Sequence, residues 1–235
     1  MKFLKTAVLI AALGTLTACA TMTPNFTVKK DFWANHKQMV GVVIGDMPKP
    51  AAHKSGSQGL LDIAINDANS SDLDKHLNSL DITKINDVAD NIAAYLEKKG
   101  LQVKRIAENL KLEDLPKYEA TNDDAKKVYY GDRDYRALKE KYGVDKLVVI
   151  NIVRIGTIRS YYGFIPTGDP SGLSHLAGYI VNLDNNQLEW KQAVTQTVPN
   201  ASGNWDTPPE FAGLTKAMYL AFEQSRKMLV NNFVQ

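Results

Sequence analysis

The only cysteine in the chain, Cys19, follows a short apolar segment at the amino terminus. Lys2 and Lys5 precede the apolar run from Thr6 to Leu13, and residues 14–18 connect that run to the cysteine. This arrangement is typical of an export signal, and the run is too short for a permanent membrane-spanning helix. A single cysteine cannot form an internal disulfide, so we expect the exported chain to hold its fold by packing alone.

The segment Leu16-Thr17-Ala18-Cys19 resembles the lipobox of bacterial lipoproteins. The resemblance implies that residues 1–18 are removed and that Cys19 carries lipid, including an acyl chain such as palmitate. Ala20 at the second mature position, in place of Asp, implies transport to the outer membrane, with the protein facing the periplasm. An alternative is that Ala18-Cys19-Ala20 is an ordinary A-x-A cleavage site, which would leave a soluble chain beginning at Thr21.

Charge and length restrict the possible functions of the chain. Its 235 residues include 28 Lys and Arg and 26 Asp and Glu. Removal of Lys2 and Lys5 with the signal leaves equal numbers of basic and acidic residues. A neutral chain without a basic stripe gives no electrostatic case for binding nucleic acid. The remaining length suits one domain with an ordinary core.

Apolar spacing after residue 38 predicts alternating strands and helices. Strands are predicted at 39–45, 101–106, 146–160, 176–183 and 188–198. Helices are predicted at 59–69, 72–80 and 83–99, from Asp132 or Asp134 to Gly143, and at 211–233. Irregular segments are predicted at 46–59, 107–131 and 161–172. The expected fold is a mixed α/β domain, with a single mixed β-sheet, helices packed on it, an antiparallel C-terminal hairpin and a C-terminal helix.

These patterns divide the chain into three regions. Residues 1–18 form the signal peptide, 19–38 a lipidated tether, and 39–235 a periplasmic α/β domain. Phe32 and Trp33 are adjacent large aromatic residues, so we expect them to dock the tether on the domain. Trp190 is two residues from Leu188 and four from Val194, and we expect it to lie on the same strand face and to be buried against a helix.

Two stretches are similar to periplasmic α/β lipoprotein domains. Tyr135 to Ile155 resembles a helix–Gly–x–Asp–strand unit, and Tyr179 to Trp190 resembles the hairpin that follows it in those domains. The similar families are the curli-secretion lipoprotein, the activators of penicillin-binding proteins and the amino-terminal domain of the Tol propeller protein. Asn185-Asn186 stands where those hairpins usually have Thr-Gly. The resemblance covers about residues 133–198 and implies a non-catalytic accessory protein that works by binding.

Recognisable catalytic and metal-binding patterns do not emerge from the sequence. The four histidines, His36, His53, His76 and His175, lie in different segments and form no paired motif, so neither a metal nor a cofactor is expected. The stretch from Lys54 to Gly59 lacks the G-x-S-x-G order of a nucleophile elbow. We therefore do not expect an enzyme.

The stretch from Tyr161 to Pro166 contains the candidate partner-binding residues Tyr161, Tyr162, Phe164 and Ile165. Large apolar side chains in a segment rich in glycine and proline are typical of a binding loop. The alternative is that they fold back and cap the edge of the sheet.

The sequence therefore favours an envelope accessory or assembly factor. Its expected partners are the membrane, through the lipid, and an envelope protein or polymer, with self-association included. Two alternatives remain open at this point. One is a periplasmic hydrolase, which a cleft joining a histidine, a carboxylate and a hydroxyl would favour. The other is a carrier of a small apolar ligand held under the 161–170 loop.

Overall fold

One mixed β-sheet organises the part of the chain that the computed structural model describes, namely residues 23–200, 204–206 and 210–235. The strands are β1 Met39–Ile44, β2 Ala51–Ser57, β3 Gln102–Arg105, β4 Lys146–Tyr162, β5 Ile165–Pro166, β6 Ser171–Asn182 and β7 Leu188–Pro199. The helices are α1 Lys30–Ala34, α2 Leu60–Asn69, α3 Ser71–Asn78, α4 Asn86–Lys98, α5 Leu138–Tyr142 and α6 Ala212–Val234. The predicted fold class is confirmed. The predicted signal peptide and the predicted lipidation site, Cys19, lie outside the described residues.

The long strand β4 positions the rest of the sheet. The main strand order is β3-β1-β4-β6-β7, in which β1 runs parallel to both β3 and β4, and β6 and β7 complete an antiparallel ribbon. At about 3.3 Å per residue, the 17 residues of β4 extend roughly 55 Å. This length lets β1 pair with residues 146–150 and β2 pair with residues 156–162 on the same side of β4.

The pairing of β2 shows that the predicted loop over residues 46–59 is wrong in its central part. Residues 51–57 have the sequence Ala-Ala-His-Lys-Ser-Gly-Ser, which is poor in strand-favouring side chains. They form a strand because β4 continues beyond the end of β1 and offers unpaired backbone groups there. Local sequence does not contain that information.

Helices α4 and α6 pack their apolar faces against one side of the sheet. Every residue of the predicted α4 stripe is buried, namely Ile85, Val88, Ala89, Ile92, Ala93 and Leu96. The predicted α6 stripe is buried along its whole length, from Phe211 to Phe233. These two predictions are confirmed. None of the helices in the described ranges is long and apolar enough to cross a membrane.

Trp190 confirms one expectation and corrects another. Its side chain is fully buried, and its ring meets that of Phe233 in α6 edge to face, with centroids 4.8 Å apart. Leu188, however, packs in the cluster on the opposite side of the sheet. The pairing of β6 with β7 shifts at this point, from Ile180 with Trp190 to Val181 with Leu188. The extra residue in β7 reverses the alternation of side chains, so the shared face predicted from spacing is wrong.

The second core cluster lies on that opposite side and is covered by residues between β3 and β4. Tyr135 is fully buried there, and its hydroxyl is 2.8 Å from that of Tyr179. The helix in this region is shorter than predicted, because α5 begins only at Leu138. Gly143 ends α5 in the left-handed conformation, with φ at 65°, as the sequence predicted.

The described part of the predicted tether lies along the sheet edge. The backbone amide of Phe26 donates to the carbonyl of Lys191, and that of Lys29 donates to Glu189. Phe32 is buried in the core and Trp33 packs against it, so the expected docking of these two aromatic residues is confirmed. Residues from 26 onward are therefore attached to the domain by hydrogen bonds and by packing.

Candidate binding surface

The stretch that the sequence predicts as a loop over 161–172 is mainly a hairpin. β4 continues to Tyr162 and turns through Gly163, whose φ is 60°, into the short strand β5. Tyr161 pairs with Pro166 and Tyr162 with Ile165, and β6 already begins at Ser171. The loop prediction is therefore wrong at both ends, because backbone pairing with β4 and β7 extends the strands into it.

Three of the four candidate residues point into solvent. The exposed fractions are 74% for Tyr162, 57% for Phe164 and 55% for Ile165. Tyr161 is half-buried and faces a cavity behind the hairpin. The alternative prediction, that these side chains fold back and cap the edge of the sheet, is therefore wrong for Tyr162, Phe164 and Ile165.

Helix α2 adds apolar residues that the sequence did not single out as a surface. The spacing of Leu60, Leu61 and Ile65 predicts an amphipathic helix, and such a helix ordinarily buries its apolar face. In the structure Leu60 is 89% exposed and Leu61 is 74% exposed, while Asn66 is 1% exposed. Helix α2 therefore lies with its polar side towards the protein and its apolar side towards solvent.

Hydrogen bonds to Asn66 explain this orientation. Its side-chain nitrogen donates to the Gln58 side chain at 2.8 Å and to the Gly163 backbone carbonyl at 3.2 Å. Asp62 accepts a hydrogen bond from the Gly59 amide at 2.8 Å, which caps the start of the helix. These contacts fasten α2 to the tip of the hairpin and leave its apolar side without a partner among the described residues.

The two elements meet at the hydrogen bond from Asn66 to Gly163, and we call the apolar side chains that they expose the α2–hairpin surface. Its members are the large apolar residues that both elements expose, namely Leu60, Leu61, Ile63, Ile65, Tyr162, Phe164 and Ile165. Exposed apolar groups at this density are characteristic of interaction sites on soluble domains. The apolar spacing of α2 identifies an amphipathic helix from the sequence, but it does not determine whether the apolar side faces the protein or the solvent.

A cavity of about 220 Å³ lies behind the hairpin, between the sheet and helices α2 and α3. Aromatic side chains from Tyr161, Phe164 and Trp205 contribute to its walls, together with Arg159. The guanidinium carbon of Arg159 is 4.5 Å from the centre of the Trp205 ring and 5.8 Å from that of Tyr161. The cavity thus combines apolar walls with a cation held against aromatic rings.

The histidine that lines this cavity has a structural role. His53 places Nε2 3.0 Å from the backbone carbonyl of Ile155, and burial lowers the pKa of its ring, so it is neutral at pH 7. The nearby hydroxyl of Ser70 accepts a hydrogen bond from Lys54, whose ammonium lies 2.7 Å from the Asp67 carboxylate. His53 makes no hydrogen bond to a carboxylate or hydroxyl within the described residues, although the cavity lining also includes the Ser70 hydroxyl and carboxylates.

The other three histidines do not converge on this cavity. His36 contacts the carbonyl of Gly100, and His76 lies 2.7 Å from the Thr215 hydroxyl. His175 is on β6, where burial lowers the pKa of its ring. Among residues 23–200, 204–206 and 210–235, no group of three or more His, Cys, Asp or Glu side chains could hold a metal ion.

Comparisons with known proteins find solved structures whose similarity to this chain is low. No protein-family model matches the chain, and no curated protein matches it. Protein XCC0632 from Xanthomonas campestris is 11% identical, with coverage of 91% of this chain and 86% of that one and a TM-score of 0.35.

Two further solved structures are similar at the same level. The PelC dodecamer from Paraburkholderia phytofirmans is 11% identical, with coverage of 90% and 95% and a TM-score of 0.34. Lipoprotein GNA1162 from Neisseria meningitidis is 13% identical, with coverage of 83% and 99% and a TM-score of 0.32. TM-scores this low carry no argument about function, so the family resemblance stays a prediction from the sequence.

Proposed function

We propose that the protein is a lipid-anchored accessory factor of the bacterial envelope that binds a partner through the α2–hairpin surface. The observation that carries the proposal is the orientation of α2, which buries Asn66 against the hairpin and exposes Leu60 and Leu61, while the hairpin exposes Tyr162. Keeping large apolar groups in water is unfavourable, by about 25 cal/mol for each Å² exposed. Burial of these side chains against a partner would remove this cost.

The anchor in this proposal is Cys19, with residues 1–18 as the removed signal and residues 19–38 as the connection to the domain. The lipobox-like segment and Ala20 support attachment to the outer membrane on its periplasmic side. Several acyl chains would hold the protein there, since each buried methylene contributes ~0.8 kcal/mol.

The attachment is tested with Cys19→Ser. This variant has no thiol, so we expect it to lose labelling by radioactive palmitate and to appear as uncleaved precursor or as a soluble species. Lys37→Ser, which changes an exposed side chain near the end of the connecting segment, is the control and should label normally. Undiminished labelling and membrane retention of Cys19→Ser would contradict the lipoprotein assignment.

Photo-crosslinking tests the binding surface. A photoreactive amino acid at position 162 should capture a partner in cells, whereas the same amino acid at Leu220, an exposed residue of α6, should not. A cross-link to a second copy would identify self-association, and one to another molecule would identify an envelope protein or polymer. Equal capture from positions 162 and 220 would argue against a specific surface.

Substitutions test the same surface without a probe. Tyr162→Ser with Ile165→Ser should reduce partner capture at least tenfold, because apolar anchors commonly contribute ~2 kcal/mol or more each. Stability should stay within about 0.5 kcal/mol per substitution, the usual range for exposed positions. Val153→Ser with Leu220→Ser removes two other exposed apolar side chains and is the matched control. Normal capture by the Tyr162/Ile165 variant would refute the proposal.

A further inference from the structure

The cavity behind the hairpin is a built compartment between two layers. Its floor comes from the sheet, where Ala52 and Lys54 of β2 pair with Thr157 and Arg159 of β4. Its other walls come from α2, α3 and the short described segment that contains Trp205. A cavity of about 150 Å³ can bind benzene, so a volume of about 220 Å³ has room for a chain of roughly seven to nine carbon groups. Apolar side chains, including Leu73 and Phe211, supply much of the lining.

Arg159 is the basic residue of this cavity that has no ion-pair partner among the described residues. Its Nε donates to the Gly168 carbonyl at 2.8 Å. Lys54, the other basic residue of the lining, is paired with Asp67 at 2.7 Å. Two carboxylates, those of Asp72 and Asp206, also line the cavity, and neither is within ion-pair distance of Arg159; that of Asp72 lies 3.2 Å from the Lys75 ammonium.

The aromatic contacts of Arg159 fix where its charge lies. Trp205 and Tyr161 hold the guanidinium at 4.5 Å and 5.8 Å from their ring centres, and the hydrogen bond to Gly168 uses one edge of the group. The terminal nitrogens of the guanidinium donate to no described group, and a planar fork of this kind matches an oxyanion. A preorganised cation beside an apolar volume is complementary to an amphiphile with a negative head.

We propose that this cavity binds an aliphatic chain of roughly seven to nine carbon groups that ends in an oxyanion, with the oxyanion on Arg159 and the chain along the apolar walls. A free fatty acid supplies this chemistry as a carboxylate, and a phospholipid fragment supplies it as a phosphate. The site is separate from the exposed side chains of Tyr162 and Ile165, which do not line the cavity.

Calorimetric titration tests the proposal on residues 19–235 with Cys19→Ser, a chain that contains every described element and needs no detergent. The probes are octanoate, octyl phosphate and octylammonium, together with straight-chain carboxylates of four to twelve carbons. We expect carboxylate affinity to rise about fourfold per methylene until roughly seven to nine carbons, and then to level off when the cavity is full. Octylammonium should bind at least tenfold more weakly than the better of the two anions. Preference for octanoate would point to a fatty acid, and preference for octyl phosphate to a phospholipid fragment.

Two variants separate the head from the chain. Arg159→Met keeps an apolar stem but removes the charge, so it should lose the preference for anions over octylammonium. Arg136→Met, at an exposed arginine paired with Asp134 away from the cavity, is the control and should bind as the parent does. Ala52→Leu places a larger side chain in the cavity and should weaken octanoate binding at least tenfold.

The proposal is overturned by any of three results in the parent chain or these variants. They are equal affinity for anion and ammonium, affinity that keeps rising to twelve carbons, or unchanged anion preference in folded Arg159→Met. If that variant fails to fold, the chain-length series on the parent and the Ala52→Leu titration still decide the outcome. Octanoate binding should survive in the Tyr162→Ser/Ile165→Ser variant, so failure of the proposed function would be distinguishable from failure of this one.

Discussion

Replacement of Trp190 by alanine should remove a large share of the stability of the domain. The side chain is fully buried, its ring meets Phe233 edge to face, and an added Cβ on Gly178 would lie 2.5 Å from the ring. Its indole nitrogen has no hydrogen-bond partner among the residues that the structure describes, so the expected loss comes from apolar packing. Truncation of a buried large aromatic residue costs about 3–5 kcal/mol, against a total stability of about 5–15 kcal/mol.

Urea denaturation followed by far-ultraviolet circular dichroism measures this loss. In thermal denaturation of a chain of this length, the same loss of 3–5 kcal/mol corresponds to a fall in Tm of roughly 6–20 °C. Trp205→Ala is the matched control, because that ring is half-buried, contacts Arg159 and packs only in part against the core. The control should therefore lose clearly less stability than Trp190→Ala. A loss for Trp190→Ala no larger than that of the control would refute the packing argument.

Two further predictions concern other parts of the fold. The pKa of the Asp145 carboxyl is lowered because the Met39 amide donates to it at 2.9 Å and the Lys139 ammonium lies 3.2 Å away. The ionised carboxylate therefore stabilises the fold above the unfolded pKa of about 3.9, and this contribution is lost as pH falls through the folded pKa. Asp145→Asn should therefore cost about 1 kcal/mol at pH 7 and almost nothing near pH 2, measured as urea midpoints at both pH values, and an equal cost at both would contradict this origin. Gly172→Ala should cost about 1–3 kcal/mol, because the added Cβ would overlap the backbone of Ala217 in α6, whereas Gly168→Ala meets nothing within 4 Å and should be close to neutral in the same denaturation assay.

The exposed surface and the cavity use opposite sides of the same hairpin. Tyr162 and Ile165 point outward, while Tyr161 and the β4 residue Arg159 contribute to the cavity lining. Phe164 lines the cavity and is also 57% exposed, so it belongs to both regions. A ligand in the cavity would therefore contact a residue that a partner on the surface also contacts.

The elements that sequence predicts well are those whose pattern is local. Helices α4 and α6 repeat apolar residues at helical spacing, and both bury that stripe. The strands β4, β6 and β7 are rich in apolar and β-branched residues, and Gly143 ends α5 in the left-handed conformation that the sequence suggested. In each case the side chains that define the element also determine its burial, so no distant residue is needed for the prediction.

Tertiary structure alone decides the features on which the two proposals depend. β2 is a strand only because β4 extends beyond the end of β1 and pairs with β2 there. The apolar side of α2 faces solvent only because Asn66 donates a hydrogen bond to the carbonyl of Gly163, 97 positions away in the sequence. The cavity brings together β2, β4, α2 and α3 with Trp205. Periodicity reports which side of an element is apolar, but a hydrogen bond or a packing partner far along the chain determines the direction in which that side points.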